Sequence, residues 1–185
     1  MTGPAGQHPG ASDATGYVLI PGVEASRQAD ITELILADHR RIGRLCRALY
    51  DTARYDDGPR PDSMPGYVWQ RLADLLVAHT QAEEEFCYLP LFGADAQATE
   101  RLRDSIADHD DIRETIGEAA AQPVGSAPWW RAVRTVIAVS TEHLVHEERD
   151  VLPECLPALS MSRRKQLGLQ WCAFMAAWRP DATRP

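Results

Sequence analysis

His79-Thr80-Gln81-Ala82-Glu83-Glu84 and His143-Leu144-Val145-His146-Glu147-Glu148 are two copies of one pattern: a histidine followed, four residues on, by a pair of glutamates. A spacing of four stacks side chains one turn apart on the same face of an α-helix. His79 with Glu83, and His143 with Glu147, are therefore expected to point the same way. Their flanks say which way. Leu72, Leu75, His79, Glu83 and Phe86 share one face, as do Val133, Val136, Ser140, His143 and Glu147. Both pairs thus fall on apolar stripes that a folded chain turns inward. A second repeat alternates with the first, Ala37-Asp38-His39-Arg40-Arg41-Ile42 being echoed by Ala107-Asp108-His109-Asp110-Asp111-Ile112. His39 lies on the stripe Ile35, Ile42, Cys46 and Leu49, and His109 on Leu102, Ile106 and Ile116. A duplicated pair of helices, closed on itself, places these groups around a pseudo-twofold axis.

Outward from these motifs the chain reads as all-α. The first helix starts at Asp30, and Asp56-Asp57-Gly58-Pro59-Arg60-Pro61 breaks it. Ser63 and Pro65 open the second helix, which Pro90 and Gly93 end. The third is expected from about Asp95 to Ala121 and the fourth from about Pro128 to Val151, with Ser126 as its cap. A fifth, from about Ser160 to Trp178, carries Leu167, Trp171, Phe174 and Trp178 at helical spacing. Trp129 and Trp130 read as packing at a helix start. Short connections favour antiparallel neighbours, so the expected architecture is an up-down-up-down four-helix bundle. Its plan is an N-terminal arm (1–25) whose segment Tyr17-Val18-Leu19-Ile20 is apolar enough to dock, the bundle (26–158), the additional C-terminal helix (159–179) and a tail (180–185).

Composition narrows the function. The 185 residues carry a formal charge of −8, which argues against nucleic acid, because phosphate binding needs clustered positive charge. No apolar run approaches the ~18 residues a membrane-spanning helix requires, and the first residues lack a secretory signal. A cytoplasmic location is expected, with Cys46, Cys87, Cys155 and Cys172 as reduced thiols that ligate no metal.

Two buried carboxylates among apolar side chains are very costly without a partner. Lys165, the sole lysine, falls in the fifth helix, and Arg113, four residues after His109, is the one arginine the pattern places inward. A metal pair is the compensation that uses four histidines and two glutamates at once, and imidazole with carboxylate suits iron or manganese better than zinc. Glu-x-x-His pairs, which mark ferritin-like di-iron bundles, are absent, and so is the second histidine of a metalloprotease motif.

The series His39, His79-x-x-x-Glu83-Glu84, His109, His143-x-x-x-Glu147-Glu148, with Pro90 and Pro153 following the glutamate pairs, resembles the hemerythrin-like family, the HHE cation-binding domain, over about residues 30–157. The resemblance implies a left-handed four-helix bundle around two iron ions in an oxo- or hydroxo-bridged di-iron centre. It implies His39, His79, His109 and His143 as terminal ligands and Glu83 and Glu147 as bridging carboxylates. Three positions depart from the oxygen-carrying members: Arg113 stands where they have a fifth histidine, Glu147 follows His143 by four residues where they have an aspartate at five, and Pro153 lies six after Glu147 whereas Pro90 lies seven after Glu83. Glu83 rather than Glu84 is expected inward, since a step of five rotates a carboxylate off the histidine's face. Glu84, Asp108, Arg113, Tyr88 and Glu142 are candidates for a further ligand or for orienting the ligands, as is Asp38.

With about one position open per iron, the expectation is a non-haem di-iron protein that reacts with dioxygen or peroxide. Redox turnover of peroxide or of a small organic substrate is preferred, which would make it a di-iron oxidoreductase; no catalytic residue is assigned. The alternative is reversible oxygen or nitric oxide binding, or iron or oxygen sensing, without turnover. A third reading keeps the metal for stability alone.

Overall fold

A computed structural model describes residues 30–54, 63–91 and 96–178, and every regular element among them is helical. The five long helices are α1 (Ile31–Arg54), α2 (Ser63–Glu83), α3 (Ala96–Ala120), α4 (Ala127–His146) and α5 (Met161–Ala177). The expected arm, its docking segment 17–20, the breaker 56–61 and the tail lie outside the described residues.

Local sequence accounts for where the helices start. Asp30 Oδ1 accepts the backbone N–H groups of Thr32 (2.9 Å) and Glu33 (3.2 Å), while Glu33 Oε2 accepts the Asp30 N–H at 3.2 Å. That reciprocal arrangement satisfies donors a helix start leaves open. Ser126 and Ser160 sit in extended conformation ahead of α4 and α5, and their hydroxyls accept from Trp129 and Arg163 N–H, both at 3.2 Å. Such caps are each worth about 1 kcal/mol.

The ends of α2 and α4 differ from the sequence-based expectation. Rather than continuing to Pro90 and Val151 as α-helix, each widens into a π-helical turn, Glu84–Tyr88 and Glu147–Val151. Leu89 N–H bonds Glu84 carbonyl oxygen and Leu152 N–H bonds that of Glu147, five residues back in both cases. Single-turn widening of this kind concentrates at functional sites. Here one falls in each half of the repeat, starting one residue after Glu83 in the first and at Glu147 in the second. A 3-10 turn, Leu89–Leu91, then leads out of the first half; a helical turn, Leu152–Cys155, and a 3-10 turn, Leu156–Ala158, lead out of the second.

Helix α1 packs on α2 and on α4, and α3 packs on α4 and on α2, so the four close a ring; α5 lies against α1 and α2. The apolar interior falls into two parts. One gathers Ile31, Ile35, Tyr88, Leu102, Leu156, Leu167 and Trp171, the other Ile42, Leu49, Trp69, Leu72, Ile112, Trp129 and Val136. Each fully buried aliphatic side chain contributes about 1.5–3 kcal/mol, and these parts hold the helices together. Trp129 is wholly buried edge-on to Trp69, with ring centroids 6.1 Å apart. On α3 the fully buried positions include Leu102, Ser105, His109 and Ile112, while Ile106 and Ile116 are only partly covered. In α5, Leu167 and Trp171 are buried and Phe174 meets Phe86 edge-on at 5.6 Å.

Candidate metal centre

Six polar side chains occupy the level where the two apolar parts meet. His39, His79, Glu83, His109, His143 and Glu147 are each at most 4% exposed. Their heights follow from the stripes: His39 comes one turn after Ile35, His79 precedes Ala82 by one turn, and His143 follows Ser140 and Val136. One histidine arrives from each of the four ring-forming helices; Glu83 is the last residue of α2, and Glu147 opens the π turn that follows α4.

The ligating atoms form two groups. His39, His79, Glu83 and Glu147 make one and Glu83, His109 and His143 the other; within each, one atom per residue lies within 4.8 Å of all the rest. Glu83 belongs to both. Glu83 Oε1 is 3.2 Å from His79 Nε2 and 3.6 Å from His39 Nε2, and its Oε2 is 3.4 Å from His109 Nε2. His109 Nε2 and His143 Nε2 face each other at 3.0 Å. His39 Nε2, His79 Nε2, both oxygens of Glu83 and Glu147 Oε2 are buried without a hydrogen-bond partner. Leaving such atoms unpaired costs about 1–3 kcal/mol each, and more where charge is involved. Cations held between them would satisfy all five, so nitrogen and oxygen donors of this kind fit a metal pair.

A carboxylate stands behind each imidazole. His39 Nδ1 lies 2.9 Å from Glu148 Oε1, His109 Nδ1 2.9 Å from Glu84 Oε1, His143 Nδ1 3.3 Å from Asp108 Oδ2, and His79 Nδ1 4.0 Å from Asp38 Oδ2. For His39, His109 and His143, donation from Nδ1–H fixes the tautomer that leaves Nε2 available, and it raises the basicity of that nitrogen. Glu84, Glu148 and Asp108 bond the histidines of α3, α1 and α4 in this way, while Asp38 faces His79 of α2 beyond hydrogen-bond distance. Neighbours i and i+1 do not share a helix face, so each of these carboxylates serves a histidine on another helix.

Without metal, the site balances charge internally. Burial opposes the charged form of His39, but the carboxylates of Glu147 and Glu83 outweigh it and raise its pKa to about 10. Burial likewise opposes charge on His109, and Glu83 and Glu84 overcome it, giving about 9. Burial pushes His143 down, helped by the neighbouring charge of His109. Burial would raise Glu83, yet His79, His109 and His39 hold it well below the usual carboxylate range.

The other sequence candidates fall into place unevenly. Tyr88 is buried; its hydroxyl donates to Glu147 Oε1 at 2.7 Å, and its ring stacks on His109 at 5.4 Å. Burial and the charge of Glu147 push its pKa well above the ordinary value. Arg113 is not aimed at the ligand cluster. Partly exposed, its guanidinium pairs with Glu84, with Asp110 (2.9 Å) and with Thr80 Oγ1 (3.2 Å), bracing the carboxylate behind His109. Glu142 is exposed and lies outside both groups. It lines an open groove of about 1010 Å³ between α3 and α4, together with Asp104, Asp108, Arg134, His143 and His146. Two contributors were missed from sequence: Glu148, which the symmetry with Glu84 signals, and Trp171 of α5, whose ring meets His79 edge-on at 5.6 Å. The two ligand groups contain no cysteine. Cys46 and Cys87 are buried, burial raises the Cys46 thiol to about 11, and the Cys155 side chain lies outside what is described.

Comparison with known proteins agrees with this geometry. The model of the hemerythrin HHE cation binding domain matches residues 30–155. Searches of curated proteins and of solved structures returned no match.

Proposed function

Because the chain belongs to the hemerythrin HHE cation-binding domain family, we propose that its buried histidines and glutamates hold two iron ions and that the centre carries out redox chemistry on dioxygen or peroxide. The observation that carries this reading is Glu83: a fully buried carboxylate, both oxygens without a hydrogen-bond donor, common to two ligand groups. His39, His79 and Glu147 are the remaining ligands of one ion, and His109 and His143 those of the other. Iron at such positions supplies Lewis acidity and electrons for small oxygen species.

The residues around the ligands have separable tasks. Glu148, Glu84 and Asp108 orient three of the imidazoles. Tyr88 donates a hydrogen bond to Glu147, and Trp171 excludes water beside His79. Arg113, in place of a further histidine, leaves a position for an exogenous ligand and holds Glu84 behind His109. Helices α1 to α4 are read as running up-down-up-down, since consecutive helices pack side by side. A small organic co-substrate would approach along the groove between α3 and α4.

Metal analysis after iron-replete expression, combined with optical spectra, tests the reading. About two irons per chain are expected, with near-ultraviolet charge-transfer bands; the reduced protein should oxidise rapidly in air, and the oxidised protein should consume hydrogen peroxide. One zinc per chain, or no metal, would refute the di-iron assignment. Oxygen taken up and released again under vacuum without oxidation would replace redox turnover by reversible binding.

A further inference from the structure

We propose that the outer face of α1 around Gly43 docks on the outer face of α3 around Gly117 in a second copy of this chain, joining copies head to tail. The inference is independent of the metal that the centre holds.

The duplication that repeats the ligands also repeats these faces, with the charges reversed. Aligning His39 with His109 pairs Arg40 with Asp110, Arg41 with Asp111 and Arg44 with Glu114; one turn further on stand Arg47 and Glu118. Helical spacing puts Arg40, Arg44 and Arg47 on one side of α1, and Asp111, Glu114 and Glu118 on one side of α3. All of these side chains are exposed. None of these six joins an ion pair among the described residues, where the paired arginines are Arg101, Arg113, Arg149 and Arg164.

The ring decides what the two faces can meet. Helices α1 and α3 each pack on α2 and on α4, so they stand at opposite corners. Their outer faces look away from each other and cannot neutralise one another within one molecule. Between molecules, two α1 faces repel, and so do two α3 faces, which disfavours twofold pairing through either. A contact of α1 with α3 brings arginine forks against carboxylates, the geometry that each side chain bonds best. Such a contact leaves one face of each kind free, so further copies can add.

The glycines are a second, independent observation. Glycine inside a helix destabilises it relative to alanine, yet nothing in the fold requires it here: a Cβ on Gly43 or on Gly117 meets nothing within 4 Å. Gly43 lies one turn from both Arg40 and Arg47, and Gly117 one turn from Glu114. Each leaves a bare patch of helix amid the charges, where another backbone can come close.

Sedimentation of the full-length chain at about 20–500 µM, in about 50 mM and about 500 mM salt, tests this. Species larger than the monomer are expected at low salt, with association at least about tenfold weaker at high salt. Replacing Arg40→Glu, Arg44→Glu and Arg47→Glu together gives a chain with two acidic faces. Asp111→Arg, Glu114→Arg and Glu118→Arg together give one with two basic faces. Each alone should be monomeric, and mixing them should restore association. Circular dichroism verifies that both fold, and the single reversals Arg44→Glu and Glu114→Arg carry the same test if a triple variant does not. Gly43→Gln keeps every charge and fills the bare patch; it should weaken association at least about fivefold without lowering the melting temperature. A wild type that stays monomeric at low salt would overturn the proposal, and one that does so yet binds poly-glutamate would give the α1 face to another anion. Reversal variants that associate alone, or that fold but stay monomeric when mixed, would also overturn it. Association untouched by Gly43→Gln would overturn the seating at Gly43.

Discussion

Replacing Glu83 by Gln keeps the shape of the side chain and removes its charge. In the metal-free protein that charge is wholly buried against three imidazoles, two of which, His39 and His109, stay protonated up to about pH 10 and 9. Removing one partner of a buried ion pair strands the other and costs about 3–5 kcal/mol. In a chain of this size each kcal/mol moves the melting temperature by about 2–4 °C, so Glu83→Gln should lower it by about 6–20 °C. Glu84→Gln is the control: among the described residues the polar partners of the partly exposed Glu84 are His109 Nδ1 and Arg113, and a Gln there still accepts a hydrogen bond. About 1 kcal/mol, or about 2–4 °C, is expected for it. Thermal melts followed by circular dichroism near pH 6 with chelator present give both numbers. Metal content after iron-replete expression should fall by at least one ion in Glu83→Gln alone. Equal effects of the two substitutions, or metal loss confined to Glu84→Gln, would refute the assignment of Glu83 as the shared ligand.

The metal-free chain should also show a pH optimum of stability. His39 and His109 have pKa values raised above 6.5, so their contribution is complete below that pH and is lost as pH rises through about 9–10; Glu83 is depressed, so its contribution is lost as pH falls below about 4.5. Melts between about pH 4 and 10 should peak at about 4.5–6.5, and a flat profile would contradict the charge balance. Trp171→Ala should cost about 3–5 kcal/mol in denaturant unfolding; a loss below about 1 kcal/mol would mean that α5 is not part of the cooperative core. Arg113→Ala should change stability by less than about 1 kcal/mol, because the pair is partly exposed, yet lower metal affinity by about tenfold through the loosened Glu84 behind His109. Unchanged binding in that variant would confine Arg113 to the surface.

Much of this protein is legible along one helix at a time. The four-residue spacing of His79 with Glu83 and of His143 with Glu147 puts each pair on a buried face whatever the rest of the chain does, because an α-helix has 3.6 residues per turn. The caps at Ser126 and Ser160 are equally local, each hydroxyl bonding an N–H three residues away. The tertiary structure decided what depends on distances between helices and on departures from α-helical pitch. Glu148 stands behind His39 across 109 positions of sequence, and Tyr88 meets Glu147 across 59; no single-helix pattern specifies either pairing. Counting residues at α-helical pitch cannot place Tyr88, because the chain switches to a π turn at Glu84. Arg113 occupies an inward position on such a count, but its long side chain turns to Glu84 and Asp110, where carboxylates and solvent stabilise a charge that the interior would not. Glu83 and Glu147 hold equivalent places in the repeat, yet it is Glu147 that receives a hydroxyl, from Tyr88 on another helix, while both oxygens of Glu83 are left without a donor.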